Sequence, residues 1–197
     1  MTPVVTGLRD AGHGSVAVEL DGSSWRVLPG VAVVRAGLVV GMSLDRPSAS
    51  RLNRELRRSE ALGVAVGVLR QRDHSRRSLQ ARLGRRGVAS SVSEDALAAL
   101  ERAGLVDDVR TARTRATSLA ERDAGDLLIR EDLERRGYAP EHIEAAIAEL
   151  EPEAGRVERI VSTRGASTRT LRKLAARGFA PESLEDLVAE VAGDALG

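Results

Sequence analysis

The sequence predicts a mainly α fold: three tandem three-helix repeats that form a curved, elongated array, preceded by a small β-rich N-terminal domain. Two observations predict it. The segment EDLERRGYAPEHIEAAIAEL, residues 131–150, returns 41 residues later as RKLAARGFAPESLEDLVAEV. The first 50 residues instead contain short β-rich runs separated by turns. A recurring helical hairpin cannot bury its apolar stripe alone, and this is typical of stacked helical repeats.

Residues 1–50 make up the β-rich domain. The runs PVVTGLRD, GSVAVEL and SSWRVLP are separated by AGHG and DGSS, whose glycine and polar residues favour turns. They predict a three-stranded meander, followed by a short helix at GVAVVRAGL. Trp25 is isolated in this region, and we expect it to be a core anchor rather than a stacking platform.

From Pro47 onward the pattern is helical. The segment RPSAS supplies a stop and the next N-cap, and the following helix carries an apolar stripe at Leu62, Val66 and Leu69. We therefore expect this long helix to open the first repeat.

Three glycines mark the turns of the repeated hairpin: Gly87, Gly137 and Gly178. Each follows a basic last turn, so we expect a left-handed C-terminal cap with cations at the negative end of the helix dipole. An apolar residue follows each glycine, and a leucine lies four residues before it. These positions are Val88, Tyr138 and Phe179, and Leu83, Leu133 and Leu174.

The helix after each turn carries an apolar stripe at spacing i, i+3, i+4, i+7. The stripes are Ser93, Ala96, Leu97 and Leu100, then Ile143, Ala146, Ile147 and Leu150, then Leu184, Leu187, Val188 and Val191. The glycines are 50 and 41 residues apart, which leaves room for a third helix per unit. Asp107 is a predicted N-cap for one of these. The predicted repeats are 51–104, 105–151 and 152–197.

Residue types exclude several kinds of chemistry. The chain has no cysteine, and its three histidines lack partners at triad or metal-ligand spacing. The adjacent carboxylates Asp107 and Asp108 are explained by an N-cap and a first-turn acid, not a metal pair. We predict a non-enzyme without cofactor or metal. The longest apolar stretch is too short to span a membrane and no signal peptide is visible, so the expected location is the cytoplasm.

Charge is distributed unevenly along the chain. Residues 51–86 hold eleven arginines against three carboxylates, a net charge of +8, whereas residues 94–197 carry −7. An anionic partner or phosphate backbone would suit the basic segment. A solvated helix face with arginines at helix ends is an equally weighted alternative. The candidate partner-binding or DNA-binding residues are Arg70, Arg72, His74, Arg76, Arg77, Arg82, Arg85, Arg86, Arg135 and Arg136.

The segments LRQRDHSRRSLQARLGRRGV, ALERAGLVDDVRTAR and LIREDLERRGYAPEHIEAAI, in this order, resemble the RecX regulatory-protein family. The resemblance covers about residues 62–191, and many members carry a β-rich N-terminal extension. The chain departs from the family pattern at His74, Ser78 and Thr111, as a divergent member would. The matching positions are Arg72, Ser75, Leu79, Leu83, Gly87, Gly104, Leu105, Asp107 and Asp108.

The resemblance implies a bacterial, cytoplasmic regulator, expected to be a monomer, that binds the RecA–DNA filament and inhibits the recombinase. DNA repair, recombination and the SOS response would be its setting. An elongated array can follow a filament groove and spread binding over many modest contacts. Two alternatives are direct DNA binding by the arginine-rich surface and an adaptor whose β-rich domain carries recognition.

Overall fold

A computed structural model describes residues 2–194, except for the side chain of Asp194. Helices account for 62% of the chain, and the strands form one small N-terminal sheet, so the predicted fold class is confirmed. Two compact units are present. Within the described residues, the first unit comprises residues 2–72 and Leu79–Leu105, and the second comprises Asp73–Ser78 and residues 106–194.

The first unit begins with a three-stranded antiparallel meander of order β1-β2-β3, as predicted. The strands are β1 (Val5–Gly12), β2 (Ser15–Leu20) and β3 (Ser23–Pro29), and the short helix α1 (Gly30–Ala36) follows. Glycines and polar residues in left-handed conformations make both tight turns possible. Val5, Val18 and Leu28 pack with Val33 of α1 and Leu52 to form a small core.

Trp25 does not belong to that core, so the prediction of a core anchor is wrong. Trp25 is 37% exposed and lies in β3, where all five consecutive residues from Ser23 to Val27 are exposed. The guanidinium of Arg26 lies 5.8 Å from the centre of the indole ring. Leu28 and aliphatic residues fill the interior instead, because the sheet is too small to bury a large ring as well.

Three helices complete the first unit: α2 (Arg46–Leu69), most of α3 (Arg76–Arg85) and α4 (Ser90–Arg102). Helix α2 already includes the segment RPSAS, which was predicted to supply a stop and the N-cap, because Asp45 caps the helix by accepting a hydrogen bond from the Ser48 N–H at 2.9 Å. The predicted stripe at Leu62, Val66 and Leu69 is only half-buried. In this half of α2 the buried positions are Ala61 and Ala65, whose small side chains permit close helix packing.

The second unit contains six helices among its described residues: α5 (Asp108–Ala120), α6 (Asp126–Arg135), α7 (Pro140–Ala148), α8 (Glu153–Arg164), α9 (Thr168–Ala176) and α10 (Glu185–Asp194). A 3₁₀ turn, Pro181–Leu184, precedes α10. Asp107 caps α5 by accepting from the Arg110 N–H at 2.9 Å, as predicted. Hairpin α6–α7 packs on α5, and hairpin α9–α10 packs with α8.

The three predicted turns share one backbone geometry. Gly87, Gly137 and Gly178 have φ of 77°, 82° and 80°, which is the left-handed region where glycine avoids the strain of a Cβ. The residue after each glycine donates its N–H to the leucine carbonyl of the preceding helix, at 3.1, 3.2 and 3.3 Å. These leucines are at most 1% exposed. The sequence repeat is therefore a repeat of cap geometry.

The residues of the downstream stripes are buried or half-buried with one exception. Ser93 is 2% exposed despite its hydroxyl, whereas Val188, at the equivalent of Ile147, is 47% exposed. The third stripe is thus shorter than predicted, because α10 starts only after a 3₁₀ turn that shifts its register.

Two junctions in the second unit link a helix start to the turn of the next hairpin. At the first junction, the Ser75 Oγ donates to the Arg136 carbonyl at 2.6 Å, and Asp108 Oδ1 accepts from the Arg76 N–H at 2.9 Å. At the second junction, the Gly125 N–H donates to the Arg177 carbonyl at 2.9 Å, and Glu153 Oε1 accepts from the Asp126 N–H at 2.6 Å. Each acidic residue is the first of its helix.

Candidate partner-binding surface

Arg70 and Arg72 follow α2 directly. Arg70 forms the C-terminal cap position of α2 in right-handed helical geometry, and Arg72 lies in the turn after it. Both residues are exposed, and neither forms an ion pair within the part of the chain that the structure describes. Their positive charges are therefore available to an external anion.

The turn that opens α3 is buried and tightly bonded. Ser75 is 1% exposed, and its Oγ accepts from the Ser78 N–H at 3.1 Å while donating to Arg136. His74 is 6% exposed, and its Nδ1 lies 3.1 Å from Ser78 Oγ. The expectation that the His74 ring lines the partner-binding surface does not fit this burial. The ring helps to position the turn instead.

Arg76 and Arg77, the two residues at the start of α3, differ in exposure and contacts. Arg76 is half-buried, with its N–H fixed by Asp108. Arg77 is exposed and lies against the second hairpin turn, since a Cβ built on Gly137 would stand 3.5 Å from Arg77 Cβ. The fold thereby brings Arg77 next to the Arg135–Gly137 turn, about 60 residues away in the sequence.

Arg82, Arg85 and Arg86 lie at the end of α3 and in the turn at Gly87, as predicted for cations at a helix C-terminus. Arg85 and Arg86 are exposed and Arg82 is half-buried. Across the described residues, none of the three is in an ion pair. Their charges are balanced only by the helix dipole and by solvent.

Arg135 and Arg136 differ from the other predicted residues because their charge is neutralised internally. Asp132 lies between them and Arg115, which forms a two-point ion pair with both carboxylate oxygens at 2.9 and 3.0 Å. Arg136 Nε is 2.7 Å from Asp132, and Arg135 also pairs with Glu131 at 3.0 Å. The Arg115 hydrogen bonds, followed by those from Arg136, lower the pKa of Asp132 to about 2.

The predicted surface thus divides into two groups. Arg135 and Arg136 serve the internal structure of hairpin α6–α7. The unpaired arginines remain candidates for partner contact, and they are Arg70, Arg72, Arg77, Arg82, Arg85 and Arg86.

Sequence reasoning missed the positioning role of Asp108. It interpreted this residue as a first-turn acid of α5, whereas the carboxylate also fixes the start of α3. The signal that could have found it is Glu153, which opens α8 at the corresponding place and binds the start of α6. Among the described residues, no group of three or more His, Cys, Asp or Glu side chains is arranged to hold a metal ion.

These features define a small protein of helical hairpins with a β-rich extension, whose distinctive surface is cationic. No family model matches the chain. The regulatory protein RecX of Halorhodospira halophila is 35% identical over 94 residues, covering 47% of this chain and 58% of that relative, little more than half its length. RecX of Xanthomonas campestris is 31% identical over 110 residues, covering 56% of this chain and 67% of that relative.

Two solved structures share the fold. A crystal structure of regulatory protein RecX matches with a TM-score of 0.79 over 95% of this chain and 99% of that chain, at 16% identity. RecX from Lactobacillus salivarius matches with a TM-score of 0.56 over 69% of this chain and 97% of that chain, at 15% identity. The chain belongs to the RecX family of regulatory proteins.

No helix of the described residues combines the length and the apolar character that crossing a bilayer requires.

Proposed function

We propose that this protein regulates the recombinase RecA by binding the RecA–DNA filament and inhibiting its activity in bacterial DNA repair and recombination. Family membership supports a regulatory role. The observation that carries the proposal is the set of six unpaired arginines from Arg70 to Arg86, which concentrates positive charge in this segment of the chain and suits it to an anionic assembly. The segment acts by docking, with no catalytic group required.

The test is inhibition of the single-strand-DNA-dependent ATP hydrolysis of RecA at substoichiometric ratios of this protein. We expect clear inhibition well below one protein per RecA monomer. The double substitution Arg72→Glu and Arg77→Glu should weaken it at least tenfold, because reversed charges repel the partner. Arg76 is left unchanged, because it anchors the start of α3.

The matched control is Arg169→Glu with Arg172→Glu, two exposed residues of α9 that make the same change in net charge. We expect the control to retain inhibition. Equal losses in both variants would mean that net charge alone matters and that the 70–86 surface is not the site. Unchanged hydrolysis with wild-type protein that still binds bare DNA would favour the alternative of direct DNA binding.

A second candidate places recognition in the β-rich segment. It is favoured by exposed apolar side chains there: Val27, Val31 and Val34 are exposed by 63%, 62% and 77%, and Trp25 by 37%. Exposed apolar side chains mark an interaction site where they form a contiguous patch. Trp25→Ser with Val27→Thr would abolish inhibition under this candidate and leave it intact under the first.

A further inference from the structure

The first unit contains a groove that lies outside the predicted arginine surface. It has a volume of about 460 Å³ and is lined by one face of α2, with Arg46, Arg54 and Arg57, and by the start of α4 at Ala89 and Ser91. A second cavity of about 370 Å³ adjoins it and shares Arg57 and Ala89. The second cavity adds Arg86 and the carboxylate of Glu60.

The arginines of this groove lack internal counter-ions. Elsewhere on α2, Arg58 pairs with Glu55 at 3.8 Å, and Glu55 also accepts from Arg35 at 3.2 Å. No such pair involves the groove arginines in the part of the chain that the structure describes, and Glu60 is the one carboxylate among the lining residues of the two cavities. All four groove arginines are exposed. They therefore create a region of positive potential that an anion would neutralise.

The spacing of the groove arginines along α2 suits a polyanion whose charges repeat at regular intervals. Arg46 and Arg57 are eleven residues apart, which corresponds to about 16 Å of helix, with Ser50 and Asn53 between them on the same face. Phosphates recur at regular intervals along a nucleic-acid strand, with an axial rise of about 3.4 Å per phosphate in a duplex, so a face of that length can contact more than one phosphate. Hydroxyl and amide side chains join arginine as common phosphate donors.

The start of α4 adds donors at the other wall. Its N-cap residue, Ala89, provides no side-chain cap, and Ala89, Ser91 and Val92 line the groove. By contrast, α2 and α5 are capped by Asp45 and Asp107. Backbone N–H groups at a helix start attract phosphate, and here they lie opposite three arginines.

The groove suits a nucleic-acid backbone better than an acidic protein. Protein interfaces are centred on apolar and aromatic anchors that fill pockets. The lining of this groove has no aromatic residue, and its apolar members are small, such as Ala49 and Val92. The same lack of aromatic residues argues against stacking of bases. Contacts would therefore be to phosphates and independent of sequence.

We propose that the α2–α4 groove binds the phosphodiester backbone of a nucleic acid through Arg46, Arg54, Arg57 and Arg86. Arg46, Arg54 and Arg57 lie outside the residues proposed to act on RecA, and Arg86 is shared with them. Binding is measured with bare nucleic acid and no recombinase present, and the variants leave Arg86 unchanged.

The experiment measures binding of fluorescent single-stranded and duplex DNA of mixed sequence by anisotropy across a range of salt concentrations. The variant is Arg46→Gln, Arg54→Gln and Arg57→Gln in the full chain. Glutamine keeps helix propensity, so α2 should persist. We expect affinity to fall roughly 30-fold or more and the slope of log K against log salt to decrease by about 2 to 3. The two DNA forms distinguish a duplex from a single strand.

The matched control is Arg169→Gln, Arg172→Gln and Lys173→Gln, three exposed cations of α9. It should keep the wild-type slope. An equal loss in the control, or wild-type binding without salt dependence, overturns the proposal. So does competition by polyglutamate as effective as that by unlabelled DNA, since it would indicate an acidic polypeptide. Far-ultraviolet circular dichroism verifies that each variant is folded, and the single variant Arg57→Gln replaces the triple variant if that fails.

Discussion

The two junctions of the second unit use different donors for the same hydrogen bond. At the first junction the Ser75 hydroxyl donates to the carbonyl of Arg136, the residue before the hairpin glycine. At the second junction the main-chain N–H of Gly125 donates to the equivalent carbonyl, that of Arg177. A Cβ on Gly125 would lie 2.2 Å from the backbone of Gly178 and Phe179, so the second pair of segments is in direct main-chain contact. Ser75 already carries a Cβ, and the first pair is correspondingly less close. One repeated sequence thus supports two packing distances.

The buried residue above each turn differs as well. Tyr138 of the first junction is paired with Thr111, and burial raises the pKa of the Tyr138 phenol while the Thr111 hydrogen bond opposes that shift. Phe179 of the second junction lies 5.7 Å from the guanidinium of Arg156, which is 2% exposed. A closer junction is therefore accompanied by a buried charge, and a looser one by neutral hydroxyls.

Among the substitutions that test this contrast, Arg156→Met should lower the free energy of unfolding the most. Arg156 donates to the carbonyls of Ala124 and Glu151 at 2.8 and 3.0 Å, and it pairs with Asp126. Removing it leaves these acceptors without their donor, the Ala124 carbonyl among them in a buried position, so we expect the free energy of unfolding to fall by about 4 kcal/mol. Urea unfolding measures the loss. The equivalent change at the first junction, Thr111→Val, should cost only about 1 kcal/mol, and equal losses would contradict the contrast between junctions.

Gly125→Ala should have the second-largest effect and lower the free energy of unfolding by about 3 kcal/mol. The new methyl group must push away main-chain atoms of the turn at Gly178. Thermal unfolding of the variant gives the value. Gly84→Ala is the control, since nothing lies within 4 Å of its Cβ position in α3, and it should stabilise the chain by up to about 1 kcal/mol. A neutral Gly125→Ala would show that the second junction is not in close contact.

Ser75→Ala tests the side-chain version of the same bond. It removes the cap on the Ser78 N–H and the donor to Arg136, and we expect a loss of about 2 kcal/mol. Hydrogen exchange at Ser78 should accelerate, which a loss confined to the α7 end of the hairpin would not produce. Ser90→Ala, an exposed serine at the start of α4, should change stability by less than about 0.5 kcal/mol.

The smallest expected loss of stability is the one caused by protonation of Asp132 at low pH. The carboxyl of Asp132 has a pKa of about 2 when folded against 3.8 as its ordinary value, so its contribution is complete above pH 3.8 and is lost as pH falls towards 2. We expect the loss to be about 1–2 kcal/mol. It should act on hairpin α6–α7 alone, because Lys173 occupies the equivalent place in α9. Denaturant unfolding between pH 2 and 5 measures it, and Asp132→Asn should abolish that part of the pH dependence.

Sequence patterns predicted the parts of the fold that depend on local chemistry. The three glycine caps, the Asp107 cap and the strand turns are decided by residues within a few positions, and all were predicted. Ala61 and Ala65 were missed because their burial depends on the closeness of other helices. Trp25 was misjudged because the small sheet leaves one face outward. The domain boundaries at 50, 104 and 151 stay predictions.

The candidate surface was predicted less fully, since charge patterns do not reveal pairing. Arg135 and Arg136 looked equivalent to Arg85 and Arg86 in sequence, but only the former have Asp132 beside them, where α3 carries Arg82. Arg54 and Arg57 of α2 were counted in the basic segment and Arg46 was not. The three were not recognised as one face, because the groove needs the distant start of α4.

The main-chain contact between Gly125 and the third turn also has a consequence for assembly during folding. The bonds from Gly125 and Leu127 to Arg177 and Gly178 join main-chain groups. Such bonds do not distinguish the third hairpin of the same chain from the third hairpin of another copy. A third hairpin from another copy would satisfy them equally well, which is the condition for domain swapping. The hairpin of the same chain is favoured over that of another copy because its tether gives it a high effective concentration near Gly125. Refolding at high protein concentration is therefore where exchanged dimers would form.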